Sequence, residues 1–307
     1  MTIARAFDKF LENRSVYCAD KTLQNYREHC GYFFKYLEEK YLNTIAALDY
    51  SELPEDDNIL AGFIISLRMK GRSGSLSNTS IRTYCRSVKA FLRFCYNEDY
   101  CRDYLKNVKL PKEDAAPKIP LRADEVNLLD KACSFTTLLG LRNYCIVHLM
   151  LDCGLRSQEV RHLQVEELDA EHNLLRINRS KGAKSRMTLI PDFLISSIRN
   201  YLQQCGRDHG YIFLCLRSEM PMTEETIKQL FTDLKYQTGI QRLHAHLLRH
   251  TFAVSYLVGG GNLEFLRVFM GHYDYNVTQR YLGMAAEFKM LGSPIYQLDS
   301  IFFTRGY

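Results

Sequence analysis

Four short clusters in the second half of this 307-residue sequence carry side chains that can handle an anion. Arg156 stands in Gly154-Leu155-Arg156-Ser157-Gln158-Glu159-Val160. There Gly154 ends one helix and Ser157 can cap the next, so the guanidinium lies beside free backbone N–H groups, a geometry that holds an anion. The same arginine also reads as a surface residue paired with Glu159. Lys181, Lys184 and Arg186 crowd the turn between Ser180 and Arg186, where three cations reach into a groove or simply solubilise the turn. His246 and Arg249 are three apart and share a face of a helix. His246 and His250 have the spacing of a zinc pair, but an arginine between them repels a dication, so anion binding fits better than metal. Gly271-His272 is followed by Thr278 and Tyr281. A phenol with a pKa near 10 is a latent nucleophile, although one tyrosine among twenty also serves packing.

The elements that must position these clusters are mainly helical, with a small sheet. Apolar periodicity predicts helices near residues 125–132, 139–153, 157–163, 192–204, 223–238, 246–258 and 263–269. Two strands, 174–178 and 187–190, flank the basic turn as a hairpin, and 211–216 reads as another strand. Ahead of this block, residues 108–121 hold three of the seven prolines between two helical regions and read as a linker. The expected division is therefore 1–110, a linker over 111–121, and 122–307.

The first block reads as all-helical, its N-terminal decapeptide included. Leu23, Tyr26, Cys30, Phe33, Phe34, Leu37 and Tyr41 keep helical spacing, as do Ile59, Leu60, Phe63, Ile64 and Leu67. A Gly/Ser-rich loop over 71–80 leads into a helix near 80–96. Its apolar stripe of Ile81, Tyr84, Cys85, Val88, Phe91, Leu92 and Cys95 lies roughly 130° from a second stripe of Arg82, Arg86, Lys89 and Arg93. Residues 66–112 contain eleven Lys/Arg against three Asp/Glu, a net of +8, whereas 49–57 has five acids and no base. Four cations on one stripe with few acidic partners repel one another, and a phosphate backbone relieves that repulsion. The alternative is a solvated helix face.

Composition excludes several classes. With 46% hydrophobic and 24% charged residues the chain is globular and long enough for about two cores. Its net charge of +5 points only weakly to a polyanion. The start of the sequence has no continuous apolar segment of a secretory signal, and no stretch approaches a membrane span. The ten cysteines form no CxxC pair and sit mostly in apolar periodic segments, so buried, reduced thiols in a cytoplasmic protein are expected.

Taken together and in order, these clusters resemble the tyrosine recombinases, the phage integrase family: an arginine in GLR-x-x-E, a lysine in a β-turn, His-x-x-Arg, then Gly-His with a tyrosine nine residues after the histidine. The resemblance covers nearly the whole chain. It implies a helical, SAM-like core-binding domain followed by an α+β catalytic domain. It also implies catalytic roles for Arg156, Lys181, His246, Arg249, His272 and Tyr281, with Lys184 as rival to Lys181. Ser180 stands where a glycine is common, and Val277 replaces a frequent threonine. DNA contacts fall to Arg72, Arg82, Arg86, Lys89, Arg93, Lys184 and Arg186.

The implied reaction is site-specific strand transfer through a 3′-phosphotyrosyl link, without cofactor or metal. It serves integration or excision of a mobile element, or replicon resolution. The implied partners are double-stranded DNA with an inverted-repeat core site and further copies of the chain. These copies form a tetramer in synapsis through the apolar tail after Tyr281, which otherwise folds back on its own domain. A type IB topoisomerase-like relaxation of DNA and a non-catalytic DNA-binding protein are the competing classes.

Overall fold

The computed structural model describes residues 1–69, 76–112, 119–178, 185–215, 218–272, 274–292 and 294–304. Arg72 and the loop around it, most of the linker, and the turn residues Lys181 and Lys184 lie outside the described residues. The chain divides into two compact units, Met1–Ala116 and Pro117–Tyr307.

The first unit packs four helices: α1 (Ile3–Ser15), α2 (Asp20–Tyr41), α3 (Ile59–Met69) and α4 (Asn78–Asn97). Helix α4 contacts the other three. Its apolar stripe is the reason: Ile81, Cys85, Val88, Phe91, Leu92 and Cys95 are all buried, against Phe10, Phe33 and Phe63. Arg86 and Arg93 on the opposite stripe are exposed, while Arg82 and Lys89 are half-buried. Arg82 donates to the Pro111 carbonyl at 3.1 Å, which draws it toward its own unit. The helix starts earlier than its periodicity suggests, because Ser77 caps it by accepting from the Ser80 N–H at 3.1 Å.

The second unit runs α5 (Ala123–Ala132), α6 (Leu138–Leu151), α7 (Ser157–Arg161), β1 (Leu168–Asp169), β2 (Leu174–Ile177), β3 (Arg186–Leu189), α8 (Asp192–Gln204), α9 (Glu224–Thr238), α10 (Ala245–Val258), α11 (Leu263–Met270), α12 (Tyr275–Met290) and α13 (Ile301–Thr304). The strands form one antiparallel sheet in the order β1-β2-β3, with Leu174 opposite Leu189 and Ile177 opposite Arg186. Helix α10 is central: residues 247–256 are all buried, and it packs against α6, α11 and α12. The fold is thus mainly α with a small sheet.

Two expectations need correction. Of the strand expected over 211–216, the described residues 211–215 supply only isolated bridges, Gln164 to Tyr211 and Leu214 to Pro221. The Arg207 guanidinium takes the Tyr211 and Ile212 carbonyls, at 2.8 and 2.6 Å, which a ladder would need. Ser157 does not cap α7; Arg156 occupies the cap position, and its N–H is satisfied by the Glu159 carboxylate at 2.7 Å. Of the two readings of the apolar tail, the single chain shows the folded-back one: Ile295, Leu298 and Phe302 are buried on their own unit. Burial of Leu298 and Phe302 beside Phe252 and Tyr256, and of Ile295 beside Val254 and Ala285, removes apolar surface that a free tail would leave wet.

The tail is also held by polar groups. The Tyr296 N–H donates to Leu121 O at 3.2 Å, and its hydroxyl to Asp152 Oδ1 at 2.8 Å. Asp152 in turn pairs with the buried His148 ring at 2.7 Å, whose other nitrogen meets Asp130 at 2.8 Å. All ten cysteines are free thiols and none is exposed. Among the described residues, no helix is long and apolar enough to cross a membrane.

Burial pushes the His148 pKa down, but hydrogen bonds to Asp130 and Asp152 outweigh it and carry the pKa up to about 9. A folded pKa above the unfolded value of 6.5 means stability that is complete below pH 6.5 and lost as pH rises through 9. Denaturant titrations should show about 3 kcal/mol less stability at pH 9.5 than at pH 6.5, and His148→Gln should flatten that slope.

Candidate active site

Two glycines bring the polar groups together. Gly154, at φ +65°, turns the chain between α6 and α7 so closely over α10 that a Cβ there would lie 2.6 Å from the Phe252 ring. Its carbonyl accepts from the Arg249 guanidinium. Gly271, at φ +58°, ends α11 in a left-handed cap: its N–H donates to Val268 O at 2.9 Å, and the His272 N–H to Arg267 O at 3.1 Å. That reversal sets His272 beside Arg249, with His272 Nε2 3.4 Å from Arg249 Nη2.

Three guanidiniums converge on the end of α11. Arg186 donates to the Phe269 carbonyl, Arg249 to the Met270 carbonyl, and Arg156 to the Gly271 carbonyl at 3.4 Å. These carbonyls lack onward helical partners and sit at the negative end of the helix dipole, so cations belong there. One carboxylate ties the same three together. Glu159 accepts from Arg156 Nη1 at 2.9 Å and from Arg186 Nη2 at 2.7 Å, and lies 3.8 Å from Arg249 Nη1. Among the described residues the cluster therefore carries three positive charges against one negative, mostly out of water. An anion seated between Arg156 and Arg249 offsets the excess.

The pKa shifts follow this crowding. Burial and the neighbouring Arg156 and Arg186 push Arg249 down to about 9, so it stays charged at neutral pH. Burial would raise Glu159, but Arg186 and then Arg156 hold it at about 2. Tyr281 is half-buried, its ring 5.4 Å from that of His250 and 6.4 Å from that of His272, nearly parallel to the latter. Burial raises the Tyr281 pKa, while Arg249 and Arg156 pull it the other way. The two arginines thus favour the phenolate, but burial outweighs them.

Arg156, Arg249, His272 and Tyr281 are thus gathered at one place. His246 lies on the exposed first turn of α10, one turn before Arg249. His244 caps that helix, its Nδ1 accepting from the Leu247 N–H at 2.9 Å. Arg186, expected to contact DNA, is corrected: its side chain is 4% exposed and faces Glu159. Lys181, Lys184 and Arg72 fall outside the described residues. Four participants escaped sequence reasoning in their present roles: Glu159, Arg186, Thr278 and His250. Fully buried Thr278 bonds His272 Nδ1 at 2.9 Å. Arg249 can only donate, so Nε2 must accept, Nδ1 carries the proton, and Thr278 Oγ1 accepts it. No group of three or more metal-ligating side chains occurs among the described residues.

Residues 120–287 match the phage integrase family. Tyrosine recombinase XerA of Pyrococcus furiosus is 30% identical over 228 residues, 73% of this chain and 75% of that protein. Tyrosine recombinase XerC of Staphylococcus epidermidis is 25% identical over 270 residues, covering 86% of each. Among solved structures, the Tn1549 transposon integrase in complex with a circular intermediate DNA superposes with a TM-score of 0.73 at 19% identity, covering 95% of this chain and 99% of that one. A lambda integrase dimer bound to a core site gives 0.69 at 15% identity, covering 92% and 95%. At these identities the structures show a shared fold.

The Glu159 shift fixes an acid limb of stability. A folded pKa of about 2, below the ordinary 4.5, means stability present above pH 4.5 and lost as pH falls toward 2. About 3 kcal/mol should disappear over that window. In Glu159→Gln, acid denaturation should lose this component.

Proposed function

The chain belongs to the phage integrase family and is a site-specific tyrosine recombinase, and on that premise we propose that Tyr281 is the nucleophile with which it breaks and rejoins DNA. The observation that carries this is the buried excess of positive charge beside the Tyr281 ring. A phosphodiester has one negative charge, and its pentavalent transition state places more on the non-bridging oxygens. Arg156 and Arg249 clamp those oxygens with paired N–H donors that remain charged at working pH.

The Tyr281 oxygen attacks phosphorus as the bond to the 5′-oxygen breaks, leaving a 3′-phosphotyrosyl link and a 5′-hydroxyl. Because burial raises the tyrosine pKa, its proton needs an acceptor, and His246 takes that role. Lys181, with Lys184 as its rival, returns a proton to the leaving oxygen. His272, aligned by Thr278, steadies the phosphate or the phenol. The phosphotyrosyl bond conserves the energy of the broken linkage, so religation needs neither ATP nor a metal.

The first unit reads as the core-binding domain, with the exposed Arg86 and Arg93 of α4 facing phosphates and Arg82 and Lys89 contributing from the flank. Double-stranded DNA with an inverted-repeat core site is the partner, and a tetramer in synapsis is the assembly. There the tail now packed in cis would exchange onto a neighbouring copy. The reading places the protein in the cytoplasm, acting in mobile-element integration and excision or in replicon resolution.

Tyr281→Phe should bind DNA with unchanged affinity and form no covalent complex on a nicked suicide substrate; an adduct with that variant would move the nucleophile elsewhere. Lys181→Ala should slow cleavage of ordinary DNA by about 100-fold and recover on a 5′-bridging phosphorothiolate, whose leaving group needs no proton. Absence of recovery assigns the acid to Lys184 or another group.

A further inference from the structure

Arg186 is the one buried guanidinium of the cluster that the strand-transfer chemistry above does not use. It lies on β3 opposite Ile177, facing the core, while its neighbour Met187 is 52% exposed. A strand that hides an arginine and presents a methionine inverts the usual alternation, and burying a guanidinium is costly unless its donors are satisfied. Here they are. Nη2 reaches Glu159 Oε2 at 2.7 Å, Nε approaches Oε1 at 3.4 Å, and Nη1 donates to the Phe269 carbonyl.

We propose that Arg186 is a positioning residue for strand transfer: it occupies Glu159 and the Phe269 carbonyl so that Arg156 and Arg249 keep donors for the phosphodiester. The inference rests on the recombinase reading. Glu159 is shared between Arg186 and Arg156, so one carboxylate faces three guanidiniums and net positive charge remains for an anion to meet. Without Arg186, Oε2 keeps the Arg156 N–H but loses the guanidinium at 2.7 Å, and an Arg249 nitrogen stands 3.8 Å away to take its place. The carboxylate then competes with the phosphate for Arg249 and tightens on Arg156. A guanidinium suits the task because its planar fork serves carboxylate and carbonyl at once, which an ammonium cannot do in fixed directions.

The test is single-turnover cleavage of a suicide DNA substrate, with DNA affinity measured across salt concentrations. R186Q should cleave about 100-fold more slowly while its affinity and salt slope match the wild type. Adding E159Q removes the competing charge, so R186Q/E159Q should cleave at least about tenfold faster than R186Q alone. A loss of folding support would instead accumulate in the double variant. R186K, which keeps the charge and loses the fork, covers the case in which R186Q does not fold and should cleave about tenfold below wild type. A double variant no faster than R186Q, wild-type cleavage by R186K, or a salt slope reduced by about one in R186Q, the mark of a direct phosphate contact, would each overturn the proposal. The wild-type adduct on the same substrate scores the recombinase reading separately.

Discussion

A single carboxylate, Glu159, sits within reach of three guanidiniums, and the same guanidiniums divide three successive carbonyls at the end of α11 among themselves. This arrangement couples four elements distant in sequence: the start of α7, strand β3, the middle of α10 and the cap of α11. Each arginine is fixed from two sides, by an acid and by a helix end. Neither partner alone could hold three like charges together out of water. The Gly271 cap matters for the same reason. It ends α11 where its carbonyls face the cations, and it delivers His272 at once to Arg249, with buried Thr278 closing the far side of the imidazole.

Such a cluster is balanced to remain incomplete. One carboxylate and a helix end stabilise the arginines enough to bury them, yet leave net positive charge facing Tyr281. The consequence appears in both titrating partners: Arg249 is pushed down to about 9 by burial and like charge, and Tyr281 is pushed up by burial against the pull of Arg249 and Arg156. A bound phosphodiester offsets the first strain directly. The second it does not remove, so the phenol needs a proton acceptor, the role proposed above for His246.

How much of this was legible in the sequence depended on whether a residue acts through local spacing or through a distant partner. Arg156, Arg249, His272 and Tyr281 were readable because their spacing fixes them relative to helix turns and to Gly271. The apolar stripe of α4 was readable for the same reason, and the structure buries it as the periodicity requires. Arg186 was misread as a tip cation, since the acid that draws it inward lies 27 residues away and no local pattern announces it. Helix α12 was missed because Thr278 and Ala285 alone are buried along it, too few to set a period. The strand expected over 211–216 is absent from its described residues 211–215, where the Arg207 side chain claims the Tyr211 and Ile212 carbonyls that a ladder would use.

The account stands on one bond. Wild-type protein trapped on a nicked suicide substrate, digested and sequenced by mass spectrometry, reports which of the twenty tyrosines carries DNA and through which end. The account predicts a single modified peptide containing Tyr281, joined to a 3′-phosphate. Nucleotide on any other residue, or a 5′-phosphate linkage at Tyr281, would contradict it.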